Sequence, residues 1–172
     1  MGREDQGVAK SQDRYRVIPR SLCFIINGEE VLLLRGGPQK RLWAGLYNGV
    51  GGHIEAGEDI YSAALREIKE ETGLSVHDVR LRLVVHADAG DPGVGIMIFV
   101  FTASSSSREV VESTEGTLEW VPCSQLPLAN VVEDLPLLLP RLLAMAPDDP
   151  TFFAAYTYDD ADHLRVNFVT AR

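Results

Sequence analysis

Residues 52–74 read GHIEAGEDIYSAALREIKEETGL, a glycine-flanked segment with a strong helical pattern. Apolar side chains recur at three- and four-residue spacing from Ile60 to Ile68, which is the period of an amphipathic helix. Asp59 is a favoured N-cap residue, and Gly73 is a favoured residue just beyond a helix end. The sequence therefore predicts a helix over 59–72 that stops at Gly73.

Three glutamates lie close together on this predicted helix. At about 100° per residue, Glu67, Glu70 and Glu71 fall within about 100° of one another. Glu67 and Glu71 lie beside the apolar stripe, where like charges four residues apart repel, whereas Arg66 and Lys69 fall on the opposite, solvent-facing side. A bound divalent cation would remove the conflict, and carboxylates suit Mg²⁺ or Mn²⁺. The alternative is a solvated acidic helix end with an Arg66–Glu70 ion pair.

Strands dominate the rest of the chain. Asn27-Gly28 lies between two apolar runs and predicts a β-hairpin. Further strands are predicted over 79–85, 94–101 and 118–121, with a second helix from about 136 to 145 and a closing hairpin over 152–168. The continuously apolar strand over 94–101 is expected to be covered on both faces. These elements predict an α/β or α+β protein.

Composition narrows the class of protein. The 172 residues are 45% hydrophobic and 24% charged, which fits one folded domain, expected over 16–172 after a flexible polar tail at 1–15. The net charge of −9 argues against binding to nucleic acid polymers but allows a small phosphorylated ligand with metal ions. No apolar leader or membrane-spanning run is visible, and the two cysteines, Cys23 and Cys123, predict reduced thiols in a cytoplasmic protein.

The spacing of residues around the predicted helix is far more specific than the acidic cluster alone. It fits the pattern G-x5-E-x7-R-E-U-x-E-E-x-G-U, where U is a bulky aliphatic residue, from Gly52 through Glu58 to Leu74. By this pattern the chain resembles the Nudix hydrolases. The resemblance implies an α/β/α sandwich with a mixed β-sheet and a loop–helix–loop metal site. It also implies hydrolysis of a nucleoside diphosphate linked to another group.

The resemblance assigns the metal site to residues of the pattern. Glu67, Glu70 and Glu71 would bind Mg²⁺, for which Mn²⁺ can substitute, together with the backbone carbonyl of Gly51. In the family a glutamate from a later loop often completes this site or acts as the base. Glu115 lies where that residue is expected.

Other residues near the pattern have less specific roles. Arg66 and Glu58 resemble a pair that orients the metal-binding helix without touching substrate. Glu112 is the rival of Glu115 for the later-loop glutamate. His53 is either near the phosphates or exposed to solvent.

Outside the pattern, the span 21–169 resembles the branch of the family that hydrolyses oxidised purine nucleoside triphosphates such as 8-oxo-dGTP. Asn48 matches a residue that hydrogen-bonds the purine, and Ser21 matches a hydroxyl residue of the same pocket. Val132 stands where that branch has a stacking tryptophan, so aromatic stacking is lost there. Asp134 matches an acid that could donate to the oxidised base when protonated. The alternative for Asp134 is an acid at a helix N-terminus, favoured by the helix dipole.

The loop before Asn48 carries cations and aromatic residues. Arg35, Lys40 and Arg41 are candidates for phosphate contacts, or they are solvated loop residues. Trp43 and Tyr47 either stack on a base or close the edge of the core.

The sequence therefore predicts a magnesium-dependent hydrolase that converts a purine nucleoside triphosphate into a nucleoside monophosphate and pyrophosphate. We expect a monomer or homodimer whose partner is a small nucleotide, with no nucleic acid polymer and no membrane. The alternatives are a hydrolase of another substrate of this class, such as ADP-ribose, and a non-catalytic nucleotide sensor.

Overall fold

A computed structural model describes residues 14–39, 43–111 and 113–169. In chain order, the secondary structure elements of these residues are β1 (Arg16–Asn27), β2 (Glu30–Gly36), β3 (Tyr47–Asn48), α1 (Ile60–Thr72), β4 (His77–Asp91), β5 (Val94–Ser104), β6 (Gly116–Pro122), a short 3-10 helix (Cys123–Gln125), α2 (Leu135–Leu143), β7 (Phe152–Tyr158) and β8 (Leu164–Val169). Apart from its last two residues, the predicted tail at 1–15 lies outside the described residues.

The strands form one mixed sheet in the order β3-β2-β1-β5-β4-β7-β8, with β6 paired to β2 off this path. Two pairs, β1 with β5 and β4 with β7, are parallel, and the other strand pairs are antiparallel. Such a mixture needs crossover connections between the parallel neighbours, and α1 and α2 lie within these connections. The predicted mixed α/β sheet is confirmed.

Each face of the sheet is covered by one helix. On one face Phe24 and Val100 pack with Leu135, Leu138 and Leu139 of α2. On the other face the alternate strand residues, including Cys23, Ile25 and Phe101, pack with Ala64 and Ile68 of α1. The period of two along a strand sends neighbouring side chains to opposite faces. The molecule is therefore a helix–sheet–helix sandwich with two apolar cores.

Helix α1 begins and ends where its sequence predicts. The carboxylate of Asp59 accepts hydrogen bonds from the backbone N–H groups of Tyr61 and Ser62. Gly73 adopts a left-handed conformation with φ of 73°, and its N–H donates to the carbonyl of Lys69. Both ends are thus capped by the residues best suited to that task.

Two strand predictions need correction. Strand β4 continues to Asp91, well past the predicted end at 85, because polar residues after it still pair with β5, as His86 does with Met97. The prediction that 94–101 is covered on both faces is wrong for its first half. Ile96 to Phe99 are only half-buried, whereas Val100 to Ala103 are buried. The half-buried part adjoins a cavity described below.

The remaining sequence predictions agree with the fold in outline. Helix α2 ends at Leu143, two residues before the predicted end, and holds Pro136 in its first turn. Cys23 is buried, Cys123 is half-buried, and both are free thiols. Within the described ranges, no helix has the length and apolar character needed to cross a bilayer.

Helix α2 supplies a direct test of the packing on its face of the sheet. Leu138 is completely buried, whereas its neighbour Leu137 is 57% exposed. We expect Leu138→Ala to lower the free energy of unfolding by about 2–5 kcal/mol, because it leaves a cavity in the core. The matched change Leu137→Ala should cost about 0.5 kcal/mol or less. Chemical denaturation of both variants measures the difference, and equal losses would contradict this packing.

Candidate active site

The glycine-rich segment 49–53 lies alongside β1 as a short backbone pairing. Cys23 and Val50 exchange two backbone hydrogen bonds of 2.7 and 3.1 Å. The N–H of Ser21 donates to the carbonyl of Gly52 at 2.9 Å. These bonds fix the backbone of this segment against β1, an interior strand of the sheet.

Two glycines of this segment are required by close contacts. Gly51 has φ of 150°, and a Cβ there would lie 2.2 Å from the carbonyl oxygen of Ser21. A Cβ on Gly52 would lie 2.5 Å from Oε1 of Glu67 on helix α1. No real Cβ fits at such distances, so the segment is held between β1 and α1 only because both residues lack side chains. The result is a backbone brought directly against a carboxylate of the helix.

Arg66 connects this segment to the carboxylates of α1. Its Nε and Nη2 donate to the two carboxylate oxygens of Glu58 at 2.9 and 3.0 Å, a bidentate pair. Its Nη1 donates to Glu67 at 2.8 Å and to Glu70 at 3.1 Å, and its Nη2 also donates to the carbonyl of His53. The contact predicted between Arg66 and Glu58 is therefore present, together with the alternative pairing to Glu70.

The structure corrects the prediction that Arg66 faces solvent. Its side chain is only 29% exposed, because the loop carrying Glu58 folds back over the helix. Hydrogen bonds from Arg66 lower the pKa of Glu58, and the surrounding glutamates raise the pKa of Arg66. Both groups thus stay charged throughout the usual pH range.

The three glutamates of the helix differ in their surroundings. The side chain of Glu67 is 13% exposed and that of Glu70 is 61% exposed. Glu71 accepts a hydrogen bond of 3.1 Å from the N–H of Gly51. Burial, together with the charges of Glu71 and Glu67, raises the pKa of the Cys23 thiol beneath them. Glu67 and Glu71 therefore direct negative charge toward the sheet, as the helical pattern predicts.

The donor set suits a divalent cation. Three carboxylates from two adjacent turns, with a glycine backbone pressed against them, offer the oxygen ligands that hard cations prefer. In the described part of the chain, however, no three acidic, histidine or cysteine side chains are arranged closely enough to hold an ion. The reason is visible in the contacts, because Arg66 engages Glu67 and Glu70, and Gly51 engages Glu71. The chemistry of these residues therefore fits a cation, whereas the positions of the described side chains do not surround one.

Two adjoining cavities open beside the glycine segment. The smaller, of about 100 Å³, is lined by Glu71 and Glu115 together with Gly51. The larger, of about 250 Å³, extends across the sheet toward α2. Both cavities are lined by Trp43, Asn48, Gly49 and Gly51. One continuous cleft therefore joins the carboxylate cluster to the larger cavity.

The larger cavity contains three of the residues predicted to contact a base. Ser21, Val132 and Asp134 line it beside Asn48. The Ser21 hydroxyl is buried and has no hydrogen-bond partner among the described residues. Val132 is 5% exposed and supplies an apolar wall without an aromatic ring.

Asp134 lies where both of its interpretations place it. It occupies the N-cap position of α2, yet its side chain makes no capping hydrogen bond. Instead, the hydroxyl of Tyr156 donates to Oδ2 of Asp134 at 3.0 Å. Burial raises the pKa of Asp134, and the donation from Tyr156 partly opposes that rise. Asp134 therefore lines the cavity, where it is held by a tyrosine, and also stands at the N-terminus of α2.

Several predicted contacts lie elsewhere. Arg35 lies outside both cavities, because its guanidinium stacks over the ring of Tyr47, 5.7 Å from the ring centroid. Tyr47 donates its hydroxyl to Glu119 on β6 at 2.7 Å, which matches the core-edge alternative. Trp43, by contrast, is 51% exposed and lines both cavities. Lys40, Arg41 and Glu112 lie outside the described residues.

Other lining residues were not identified from the sequence. They come from distant strands and include Arg20, Asp88, Ile96, Ile98, Tyr156 and Tyr158. The alternation of Ala154, Tyr156 and Tyr158 placed these tyrosines on one face of a strand. It could not indicate that this face meets the cavity, because the pairing of β7 with β4 joins residues far apart in the chain.

Comparison with known proteins identifies the family of this chain. Residues 18–142 match the NUDIX domain. The chain is 32% identical over 147 residues to the oxidized purine nucleoside triphosphate hydrolase of Mus musculus, covering 84% of this chain and 88% of that protein. It is 27% identical over 114 residues to the NAD-capped RNA hydrolase NudC of Stutzerimonas stutzeri, covering 65% of this chain but only 39% of that protein.

Solved structures share the fold. The MutT protein of Bacillus halodurans superposes with a TM-score of 0.73 at 24% identity, covering 88% of this chain and 97% of that chain. The NUDIX domain of Shewanella oneidensis NrtR, complexed with ADP ribose, gives a TM-score of 0.64 at 16% identity, covering 83% and 97%. The matched domain includes the glycine segment, the glutamates of α1 and the lining of the cleft except for its β7 and β8 residues, Tyr156, Tyr158 and Leu164. The chain therefore belongs to the Nudix hydrolases, enzymes that act on nucleoside diphosphate derivatives.

Proposed function

We propose that this protein hydrolyses a purine nucleoside triphosphate, oxidised on the base as in 8-oxo-dGTP, to the nucleoside monophosphate and pyrophosphate. The observation that carries the proposal is the continuous cleft, which joins Glu71, Glu115 and Gly51 to a cavity lined by Asn48 and Asp134. A nucleotide has the same division, with a charged phosphate chain at one end and a flat base at the other. The likeness to the mouse enzyme supports the same substrate class.

Asn48 is oriented to recognise an acceptor on the base. The N–H of Gly49 donates to Oδ1 of Asn48 at 2.8 Å. That bond occupies the amide oxygen and leaves the amide NH₂ group as a donor. A purine carbonyl oxygen in the cavity can accept from it.

Asp134 recognises a different edge of the base from the one that Asn48 contacts. Burial favours its neutral carboxyl, which carries a proton that it can donate. Tyr156 donates to Oδ2, so the other oxygen remains available to the ligand. Asn48 and Asp134 therefore present donors from two sides of one cavity.

The glutamates form the reaction end of the cleft. Nudix hydrolases generally use divalent cations, and here Glu67, Glu70 and Glu71, with the carbonyl of Gly51, would hold Mg²⁺ or Mn²⁺. When bound, the cation neutralises phosphate charge and lowers the pKa of a water molecule. Glu115 lines the same small cavity as Glu71.

The proton and bond changes follow from this arrangement. Glu115 accepts the proton of the attacking water, whose oxygen forms a bond to phosphorus as the anhydride P–O bond breaks. Pyrophosphate leaves with the bonding electrons. Arg66 holds the helix and its loop in place through Glu58 and does not touch substrate. Positioning and electrostatics suffice for this step, so no covalent nucleophile is required.

The second candidate is a Nudix hydrolase of a different nucleoside diphosphate derivative. Val132 supports it, because a valine wall gives weaker base stacking than an aromatic ring. The similarity to NudC points the same way. A nucleotide sensor without activity is the weakest candidate, because every glutamate of the pattern is present. We also propose a cytoplasmic location, which agrees with two free thiols.

Turnover of a substrate panel tests the proposed reaction. With Mg²⁺ we expect formation of the nucleoside monophosphate, measured by chromatography, to be fastest with 8-oxo-dGTP among 8-oxo-dGTP, dGTP, ADP-ribose and NAD. Glu70→Gln should lower this rate at least about 100-fold, because a ligand of the cation is lost. Glu29→Gln, at an exposed acid in the β1–β2 turn, is the control and should retain the rate. Turnover of ADP-ribose alone would change the substrate, and an unchanged rate in Glu70→Gln would contradict the metal site.

Gly52→Ala tests the contact between loop and helix without removing a charge. The added Cβ would displace the carboxylate of Glu67, whose Oε1 lies 2.5 Å from the Cβ position. We expect Mn²⁺ affinity to fall about 10- to 100-fold, by analogy with changes to groups that orient metal ligands. The control is Gly93→Ala, where the nearest atom lies 3.4 Å away on a side chain. Isothermal titration in the presence of nucleotide measures the affinity, and equal affinities in both variants would contradict the role of Glu67.

The dependence of base affinity on pH tests the neutral form of Asp134. If the protonated carboxyl donates to the base, affinity for 8-oxo-dGMP is high at low pH and falls as pH rises through the pKa of Asp134. Burial raises this pKa, the Tyr156 hydroxyl lowers it, and the nearby charge of Glu133 raises it. Tyr156→Phe removes a donor that favours the charged form, so the fall should move to higher pH. Titrations at several pH values measure this shift, with Tyr158→Phe as control.

A shift in the opposite direction, or an affinity that does not change with pH, would show that Asp134 binds the base as a carboxylate or not at all.

A further inference from the structure

Arg20 on β1 carries a buried donor without a partner. Its Nε has no contact with solvent and no hydrogen bond among the described residues. The described chain shows no ion pair for its guanidinium either. Buried donors of native proteins are nearly always paired, because an unpaired one loses its bonds to water without compensation. The buried Nε of Arg20 therefore needs an explanation.

The position of Arg20 points to a ligand. Arg20 lines the larger cavity beside Leu22, with which it shares a face of β1 by strand alternation. Its backbone pairs with that of His53, so it lies next to the end of the glycine segment. Gly51 and Gly52 line the same cavity. Arg20 thus lies beside the glycine segment, which also contacts the carboxylates of α1.

Arg20 also supplies a charge that the cleft otherwise lacks. Among described residues it is the one basic residue that lines either cavity, whereas Asp88, Glu133 and Asp134 line the larger one. Arg66 is already engaged by glutamates, and Arg35 lies outside the cleft. A protein with a net charge of −9 repels a nucleotide unless local cations act on it. A guanidinium at this position would offset part of that repulsion for a phosphate in the cleft.

We propose that Arg20 binds the phosphate that stays with the nucleoside after hydrolysis. The inference rests on the function proposed above and adds a residue that neither the sequence pattern nor its glutamates provide. A guanidinium fork matches two phosphate oxygens with two parallel N–H donors. The alternatives are that Arg20 contacts a base carbonyl, or that it pairs with Asp88 across the cavity.

Paired ligands distinguish these possibilities. Isothermal titration, without metal, compares 8-oxo-dGMP with 8-oxo-deoxyguanosine, which differ only by the phosphate. For Arg20→Met we expect affinity for the monophosphate to fall about 10- to 100-fold, the range of a hydrogen-bonded charge pair. Affinity for the nucleoside should stay within about twofold. Arg165→Met removes an exposed arginine paired with Asp159 and controls for net charge, so it should bind both ligands like the unchanged protein.

A second variant guards against loss of folding. Arg20→Lys keeps a long side chain and a positive charge but not the two parallel donors of a guanidinium. Its affinity for 8-oxo-dGMP should therefore lie between that of the unchanged protein and that of Arg20→Met. Thermal unfolding of each variant shows whether it is folded. Equal losses for both ligands would place Arg20 at the base, and no loss for either would place it outside the site. Each of these results overturns the proposal.

The test also separates this inference from the proposed function. If the unchanged protein hydrolyses 8-oxo-dGTP while Arg20→Met binds the monophosphate normally, only the role of Arg20 is wrong. If the unchanged protein binds neither ligand and hydrolyses no triphosphate, the proposed function fails and the role of Arg20 fails with it.

Discussion

The guanidinium of Arg66 holds together groups that would otherwise repel one another. It contacts Glu58, Glu67 and Glu70 within 3.1 Å and also the carbonyl of His53. Without it, the partly buried carboxylates would face each other with no opposite charge, which is costly away from bulk water. The loop before α1, the helix itself and the glycine segment therefore keep their positions through one side chain. A cation bound by the glutamates would take over part of this neutralisation.

The sheet and the glycine segment form a cleft beside this cluster of charged side chains. The glycine segment runs beside β1 and lines both the small cavity that holds Glu71 and the larger cavity that reaches toward α2. The first half of β5 is only half-buried and forms part of the cavity lining. The packing of α2 supplies the opposite wall through Val132 and Asp134. The two apolar cores of the sandwich thus hold the two ends of the cleft at a fixed separation.

The features that the sequence predicted correctly are those that depend on neighbouring residues. The caps of α1, the Asn27-Gly28 hairpin and the pattern of glutamates all depend on residues close together in the chain, and the structure has them as expected. Arg66 was placed wrongly because a helical wheel considers only the helix and not the loop that returns over it. Arg20 and Tyr156 could not be found, because only the pairing of distant strands brings them to the cavity. The extension of β4 was missed because its polar residues do not resemble a strand by themselves. They are part of the strand because they pair with β5.

The central claim is that the glutamates of α1 hold divalent ions against the phosphates of a nucleotide whose base lies in the larger cavity. A crystal structure with Mn²⁺ and a non-hydrolysable 8-oxo-dGTP analogue tests it most directly, because manganese is located by its anomalous scattering. The account predicts manganese between Glu67, Glu70, Glu71 and the carbonyl of Gly51, with the base between Asn48 and Asp134. Manganese bound elsewhere, or a nucleotide whose phosphates lie away from these glutamates, would contradict it.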